Sequence, residues 1–131
     1  MAQREIELIL MRQLASYLAQ PILILDANGD LLFFNEPAEA IVGKRFDEIV
    51  EIRRGEWTAL FKPSDNHGTP IKREDLPLTI ARDKHQPAHL RYWIQGLDGV
   101  RRKVESTAFP LVGQAGRNLG VVGIFWEIDR E

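Results

Sequence analysis

The chain has 131 residues, 44% hydrophobic and 27% charged, with no cysteine and a formal net charge of −2 from 17 basic and 19 acidic residues. That length suits one domain whose core needs no covalent staple, and the missing thiols exclude disulfides, thiolate metal sites, cysteine nucleophiles and cofactors attached through sulfur. Near-balanced charge gives no long-range pull towards nucleic acid or acidic lipid, and the absence of a long apolar run or a signal-peptide pattern predicts a soluble, cytoplasmic protein with no membrane span.

Residues 3–19 carry a helical period, with Ile6, Ile9, Leu10, Leu14, Tyr17 and Leu18 on one broad stripe. Glu5, Arg12 and Ser16 lie opposite, and Pro21 ends the segment. The stripe is wide for a helix with one partner, so it is expected to pack on its own domain, on another chain, or on both. Residues 1–20 are therefore read as an amphipathic flanking helix and residues 21–131 as the folded core. Apolar runs at 22–25 and 31–34 flank Asn28-Gly29, a strong hairpin signal. Asn35 then caps a short helix that contains Pro37 and stops at Gly43, with another turn expected over residues 44–49.

A helix is expected around Trp57, Leu60 and Phe61, followed by a loop over residues 63–70. Residues 72–75 open the next helix, with Glu74 and Asp75 in its first turn, Leu76, Ile80 and Ala81 on its inner side, and Pro87 as its stop. Strands over residues 88–97 and 100–111 flank Asp98-Gly99, and a last strand over 119–128 follows a Gly-rich loop. Strands split around a helical block predict an α+β fold, one antiparallel sheet covered by helices on one face.

The order and its punctuation resemble a PAS domain. The match runs from Ile24, Leu25, Asp26 and Gly29 through the segment Phe34 to Glu39, then Gly43 and Gly68 to Pro70. It continues through Glu74 to Leu78, Asp98 to Arg101 and Phe109 to Leu111, and closes on Gly120 to Asp129. At the exit, Glu127-Ile128-Asp129 stands where the family carries Asp-x-Thr. The resemblance implies a five-stranded antiparallel sheet of order 2-1-5-4-3 with a ligand pocket between sheet and helices. It also implies a flanking helix that mediates homodimerisation, and a signalling rather than catalytic role. One core plus a flanking helix fills this length, so output is expected from another domain or protein.

On that register strict alternation sends Leu32, Phe34, Leu90, Tyr92, Ile94, Val104, Ser106, Ala108, Val121, Gly123 and Phe125 towards the helices. The ligand-contacting set drawn from these is Leu32, Phe34, Tyr92, Ile94, Ser106, Ala108, Gly123 and Phe125, with a small apolar molecule as the expected ligand. Trp93, Phe109, Val122, Ile124 and Trp126 fall on the opposite face, an apolar patch too large to leave in water. The dimer interface is accordingly expected to use Ile6, Leu10, Leu14 and Tyr17 from the helix with Trp93, Val122, Ile124 and Trp126 from the sheet.

Other chemistry finds less support. His85 and His89 have the spacing of a helical metal pair, but Pro87 between them forbids a continuous helix. Haem-binding members of the family take a proximal histidine from the last helix before the third strand, which makes His85 the haem-ligand candidate and haem or non-covalent flavin the alternative cofactors, neither being required. Gly113 to Gly120 lacks phosphate-loop spacing. The basic clusters Arg53-Arg54 and Arg101-Arg102-Lys103 are short enough for solvated loops. The expected function is a sensory or dimerisation module in a cytoplasmic signalling (two-component-like) protein, read by a histidine kinase, cyclase or transcription regulator. The alternatives are a pure protein-interaction module with a filled core, a haem sensor, or a small enzyme using the same pocket.

Overall fold

The computed structural model describes residues 6–49 and 60–128. The strands are β1 (Ile22–Asp26), β2 (Leu31–Phe34), β3 (Ala88–Gln95), β4 (Arg101–Val112) and β5 (Asn118–Glu127). They form one antiparallel five-stranded sheet in the order β2-β1-β5-β4-β3. Both short hairpin turns close where Asn28-Gly29 and Asp98-Gly99 allow them. Each is pinned by a carboxylate: Asp26 Oδ1 accepts from the amides of Asn28 and Asp30, and Asp98 Oδ1 from that of Val100.

Among the described residues three α-helices accompany the sheet: α1 (Ile6–Tyr17), α2 (Glu36–Val42) and α3 (Pro77–Lys84). As expected, α2 starts from the Asn35 side chain and ends at Gly43, and a 3-10 turn follows over Phe46–Glu48. The helix expected from residue 72 divides in two. Residues Arg73–Asp75 form a separate 3-10 turn, and Leu76 is extended (ψ 141°) before α3 begins at Pro77. The cause is Pro77, whose ring disfavours the helical conformation in the residue before it. Glu74 and Asp75 therefore precede α3 rather than occupying its first turn. The helix expected around Trp57 lies outside the described residues, apart from Leu60 and Phe61; Arg53-Arg54 lies outside them as well.

Apolar side chains are buried on both faces of the sheet. The inner layer, between the sheet and α2 and α3, gathers Leu23, Phe34, Val42, Leu78, Val104 and Val121 among others. The outer layer sits under α1: Ala15, Leu8 and Met11 pack on Ile22, Ile24 and Val122, with Phe109 and Ile124 around them. Leu32 belongs to this outer layer, contrary to the alternation expected for it. The register between β1 and β2 slips beyond the Ile24–Phe33 pair, so that Leu31 faces Leu25. Leu31 and Phe34 therefore enter the inner core together, and Leu32 and Phe33 turn outward.

The outer face is apolar over only half its width. Across β4 and β3, Lys103, Glu105 and Thr107 stand opposite Trp93, Arg91 and His89. Glu105 takes His89 Nε2 at 2.7 Å and Arg91 Nε at 3.3 Å, and His89 Nδ1 lies 2.8 Å from Thr107 Oγ1. Trp126 lies opposite Glu105. At the β3 edge, Ser64 exchanges backbone hydrogen bonds of 2.9 and 2.8 Å with Trp93, whose indole donates to Asn66 and lies beneath the Arg101 guanidinium. No described helix is long and apolar enough to cross a membrane.

Candidate functional site: a small cavity and an exposed helix face

Between the sheet and the helical layer lies a cavity of about 50 Å³. Its sheet wall includes Leu23, Tyr92, Ile94, Ser106, Gly123 and Phe125; its helical wall includes Ile41, Val42, Leu76 and Leu78, with Phe61 and Pro63 from the following loop. Five residues expected at a ligand thus meet here: Tyr92, Ile94, Ser106, Gly123 and Phe125. Phe34 and Ala108 point to the same side but are consumed in packing, Phe34 edge-on against Phe46 at 5.3 Å. Leu32 is on the other face of the sheet.

The polar content of the cavity is one pair. Tyr92 and Ser106 supply its hydroxyls; burial pushes the Tyr92 phenol above its usual range, and the nearby Ser106 side chain works against that shift. Among the described residues no buried side-chain polar atom lacks a partner. The pair therefore adds polarity to an apolar chamber without presenting an orphaned donor or acceptor.

Volume decides between ligand classes. A void of this size has room for a few waters or a very small molecule, whereas drug-sized and cofactor sites run to roughly 300–1,000 Å³. His85 caps the C-terminus of α3 in left-handed conformation (φ 55°), is exposed, and does not line the cavity. The described residues accordingly fit neither haem nor flavin.

The helical wall is tied to the sheet by Arg102, whose side chain is only 13% exposed. Arg102 Nη1 donates to the Ile41 carbonyl at 3.3 Å, and both Nη atoms grip the Asp98 carboxylate at 3.2 and 2.9 Å. Leu97 N also donates to the Val42 carbonyl at 2.7 Å. This grip holds the Asp98 carboxyl down from 3.8 to about 2. A depressed folded-state value means that the stabilisation is complete above the ordinary pKa and disappears as pH falls through the window from about 4 to 2. The stability difference between the wild type and Asp98→Asn, read from urea midpoints, is therefore expected to be largest above pH 4 and to shrink towards pH 2.

A second surface was only partly anticipated. α1 docks through Leu8, Met11 and Ala15, leaving Ile6 66%, Leu10 56%, Leu14 52% and Tyr17 87% exposed. Ile9 and Leu18 are exposed as well. The expected interface residues therefore separate: Val122 is buried and Ile124 half-buried under α1, while Trp93 lies at the far edge beneath Arg101. The four named helix residues form a continuous free face.

Comparison with known proteins returns structures alone; no protein-family model and no curated protein matches the sequence. The PAS domain of Bordetella pertussis BvgS superposes with a TM-score of 0.63 at 19% identity, covering 95% of this chain and 88% of that one. The PAS domain of nitrogen regulation protein NR(II) from Vibrio parahaemolyticus gives 0.62 at 20% identity, over 91% and 98%. The PAS domain of the fruit-fly ELK potassium channel gives 0.70 at 9% identity, over 92% and 96%. At such identities the likeness concerns architecture: strand order and helix placement are those of the PAS fold.

Proposed function

We propose that this PAS-fold chain is a signalling module that homodimerises through α1 and responds to a small, largely apolar molecule held in the sheet–helix cavity. A cytoplasmic effector such as a histidine kinase, cyclase or transcription regulator reads the outcome. The observation that carries the proposal is the two-sided helix. One side of α1 is committed to the outer sheet face, yet four large apolar side chains on the other remain at least half exposed. Covering a large apolar side chain is worth about 1.5–3 kcal/mol, so a second copy presenting the same face supplies a symmetric, self-complementary contact. Movement of the cavity wall at Ile41 and Val42 reaches the β3–β4 turn and Glu127 on the exit strand through Arg102, which lies 3.9 Å from the Glu127 carboxylate.

Sedimentation equilibrium tests the dimer. The wild type is expected to be dimeric at micromolar concentration, and Leu10→Glu with Leu14→Glu to be a folded monomer, because both side chains are exposed in the protomer, with a thermal midpoint that no longer rises with protein concentration as the wild type's does. A monomeric wild type overturns the dimer half. Native mass spectrometry of the same sample tests the ligand half by the presence of a retained small molecule. The alternative is an interaction module with a filled core, favoured by the small volume of the cavity.

A further inference from the structure

Size, charge and hydroxyl placement in the internal cavity together define what it admits. At about 50 Å³ it is roughly a third of the ~150 Å³ apolar chamber known to accept benzene, which leaves room for about two to four non-hydrogen atoms. None of the described residues lining it is charged, and an ion moved there from water would have no partner. Carboxylates, ammonium ions and phosphates are therefore poor occupants.

Tyr92 on β3 and Ser106 on β4 carry the only polar side chains in the described lining, and both stand on the sheet wall. Ser106 is 4% exposed, and the burial that raises the Tyr92 phenol keeps it neutral. A hydroxyl has one donor and two acceptor positions, more than a single protein partner uses. An alcohol, which also donates and accepts, matches that wall better than a hydrocarbon does. Gly123 keeps the chamber open beside it. A β-carbon there would meet Leu78 Cδ2 at 3.0 Å, and both residues line the cavity.

Resting on the ligand-sensing half of the proposed function, we infer that the molecule sensed is an uncharged short-chain alcohol of about two to four non-hydrogen atoms, its hydroxyl on Tyr92 and Ser106 and its carbons against Leu78, Gly123 and Phe125. Gly123 sets the size limit and the hydroxyl pair sets the class. Ligands this small reach a Kd of about 40 µM at the very best. The module therefore answers to a compound abundant in its surroundings and not to a trace signal.

The probes are 2-propanol, sodium acetate as a charged molecule with the same number of non-hydrogen atoms, 1-hexanol as a longer alcohol, and xenon as an apolar sphere without a hydroxyl. Each is titrated at constant ionic strength into the isotopically labelled intact chain and followed by backbone amide shifts at Tyr92, Ser106 and Gly123. Saturable shifts are expected with 2-propanol and xenon, and none with acetate or 1-hexanol. Ser106→Ala is expected to weaken 2-propanol about fivefold and leave xenon unchanged. Gly123→Ala, whose methyl group takes up space in the chamber, is expected to weaken both by about fivefold or more. Acetate or 1-hexanol binding as tightly as 2-propanol overturns the limit on charge or size. Xenon binding without 2-propanol, or a Ser106→Ala variant with undiminished 2-propanol affinity, overturns the alcohol class. In each of these cases the cavity still holds a ligand and the proposed function stands. No saturable shift at Tyr92 or Ser106 with either 2-propanol or xenon overturns the ligand-sensing reading and the inference with it.

Discussion

Replacing Asn35 with alanine is expected to lower stability by about 4 kcal/mol, the largest effect of any single polar substitution in this fold. The side chain is 1% exposed and makes four hydrogen bonds, donating at 2.8 Å to the carbonyls of Ala15 and Gln20 and accepting from the amides of Ile22 and Ala38 at 3.0 and 3.2 Å. These bonds join the end of α1, the start of β1 and the first turn of α2. Alanine removes all four and leaves buried groups without partners, each costing about 1 kcal/mol or more. Against a total of about 5–15 kcal/mol for a domain, the urea midpoint should drop markedly. Asn35→Asp separates the terms: it keeps an acceptor for Ile22 and Ala38 but turns a carboxylate oxygen towards two carbonyls. It should release α1 selectively, seen as proteolytic cleavage near residues 18–21. Wild-type resistance in both variants would overturn the assignment.

The second large effect is expected at Gly120, the first residue of β5 paired with Asp26. Its φ of 145° suits glycine, and a β-carbon built there collides with the Leu25 carbonyl oxygen and sits 3.2 Å from Asp26 Cα. The obstacle is the backbone of a central strand, so neither side can yield without breaking the β1–β5 ladder. Gly120→Ala should therefore cost about 3 kcal/mol or more. Gly123→Ala is the control. Its β-carbon would meet Leu78 Cδ2 at 3.0 Å, the end of a side chain that borders the cavity and has space to turn into, and otherwise only Leu23 at van der Waals distance. A loss of about 1 kcal/mol or less is expected there. Equal losses at the two glycines, measured by urea denaturation followed through tryptophan fluorescence, would show that the ladder gives way more easily than this geometry allows.

Much of the architecture was legible because its signals are local. Asn28-Gly29 and Asp98-Gly99 specify turns by their own backbone chemistry, and β3, β4 and β5 alternate regularly up to the irregularity at Leu111–Val112, which placed Tyr92, Ser106, Val104 and Phe125 on the inner face. The failures have physical causes that act over distance. Leu32 was misplaced because a one-residue slip beyond the Ile24–Phe33 pair swaps the faces of Leu31 and Leu32 while Phe34 keeps its own. α1 is apolar around much of its circumference, so periodicity favoured the bulky Ile6–Leu18 stripe. The sheet instead takes the side carrying Ala15, whose small side chain permits close approach. Asn35 read as a helix cap, and it is one; its bonds to residues 15 and 20 positions earlier leave no trace in a local pattern. The helical wall of the cavity was equally hidden, since Ile41, Val42 and Leu78 face it only through docking.

The Ser64–Trp93 bridges at the margin of β3 bear on how copies of this chain can meet. An open sheet invites a neighbouring molecule to extend it through unpaired backbone groups, the usual start of strand-exchange dimers and fibrils. Here one margin already has part of its backbone bonding occupied by Ser64. The other, β2, offers only four residues and a slipped register. Little continuous backbone remains for a second chain to template on. Association should therefore join side chains to side chains, and infrared spectra across the monomer–dimer transition should show no gain in strand signal.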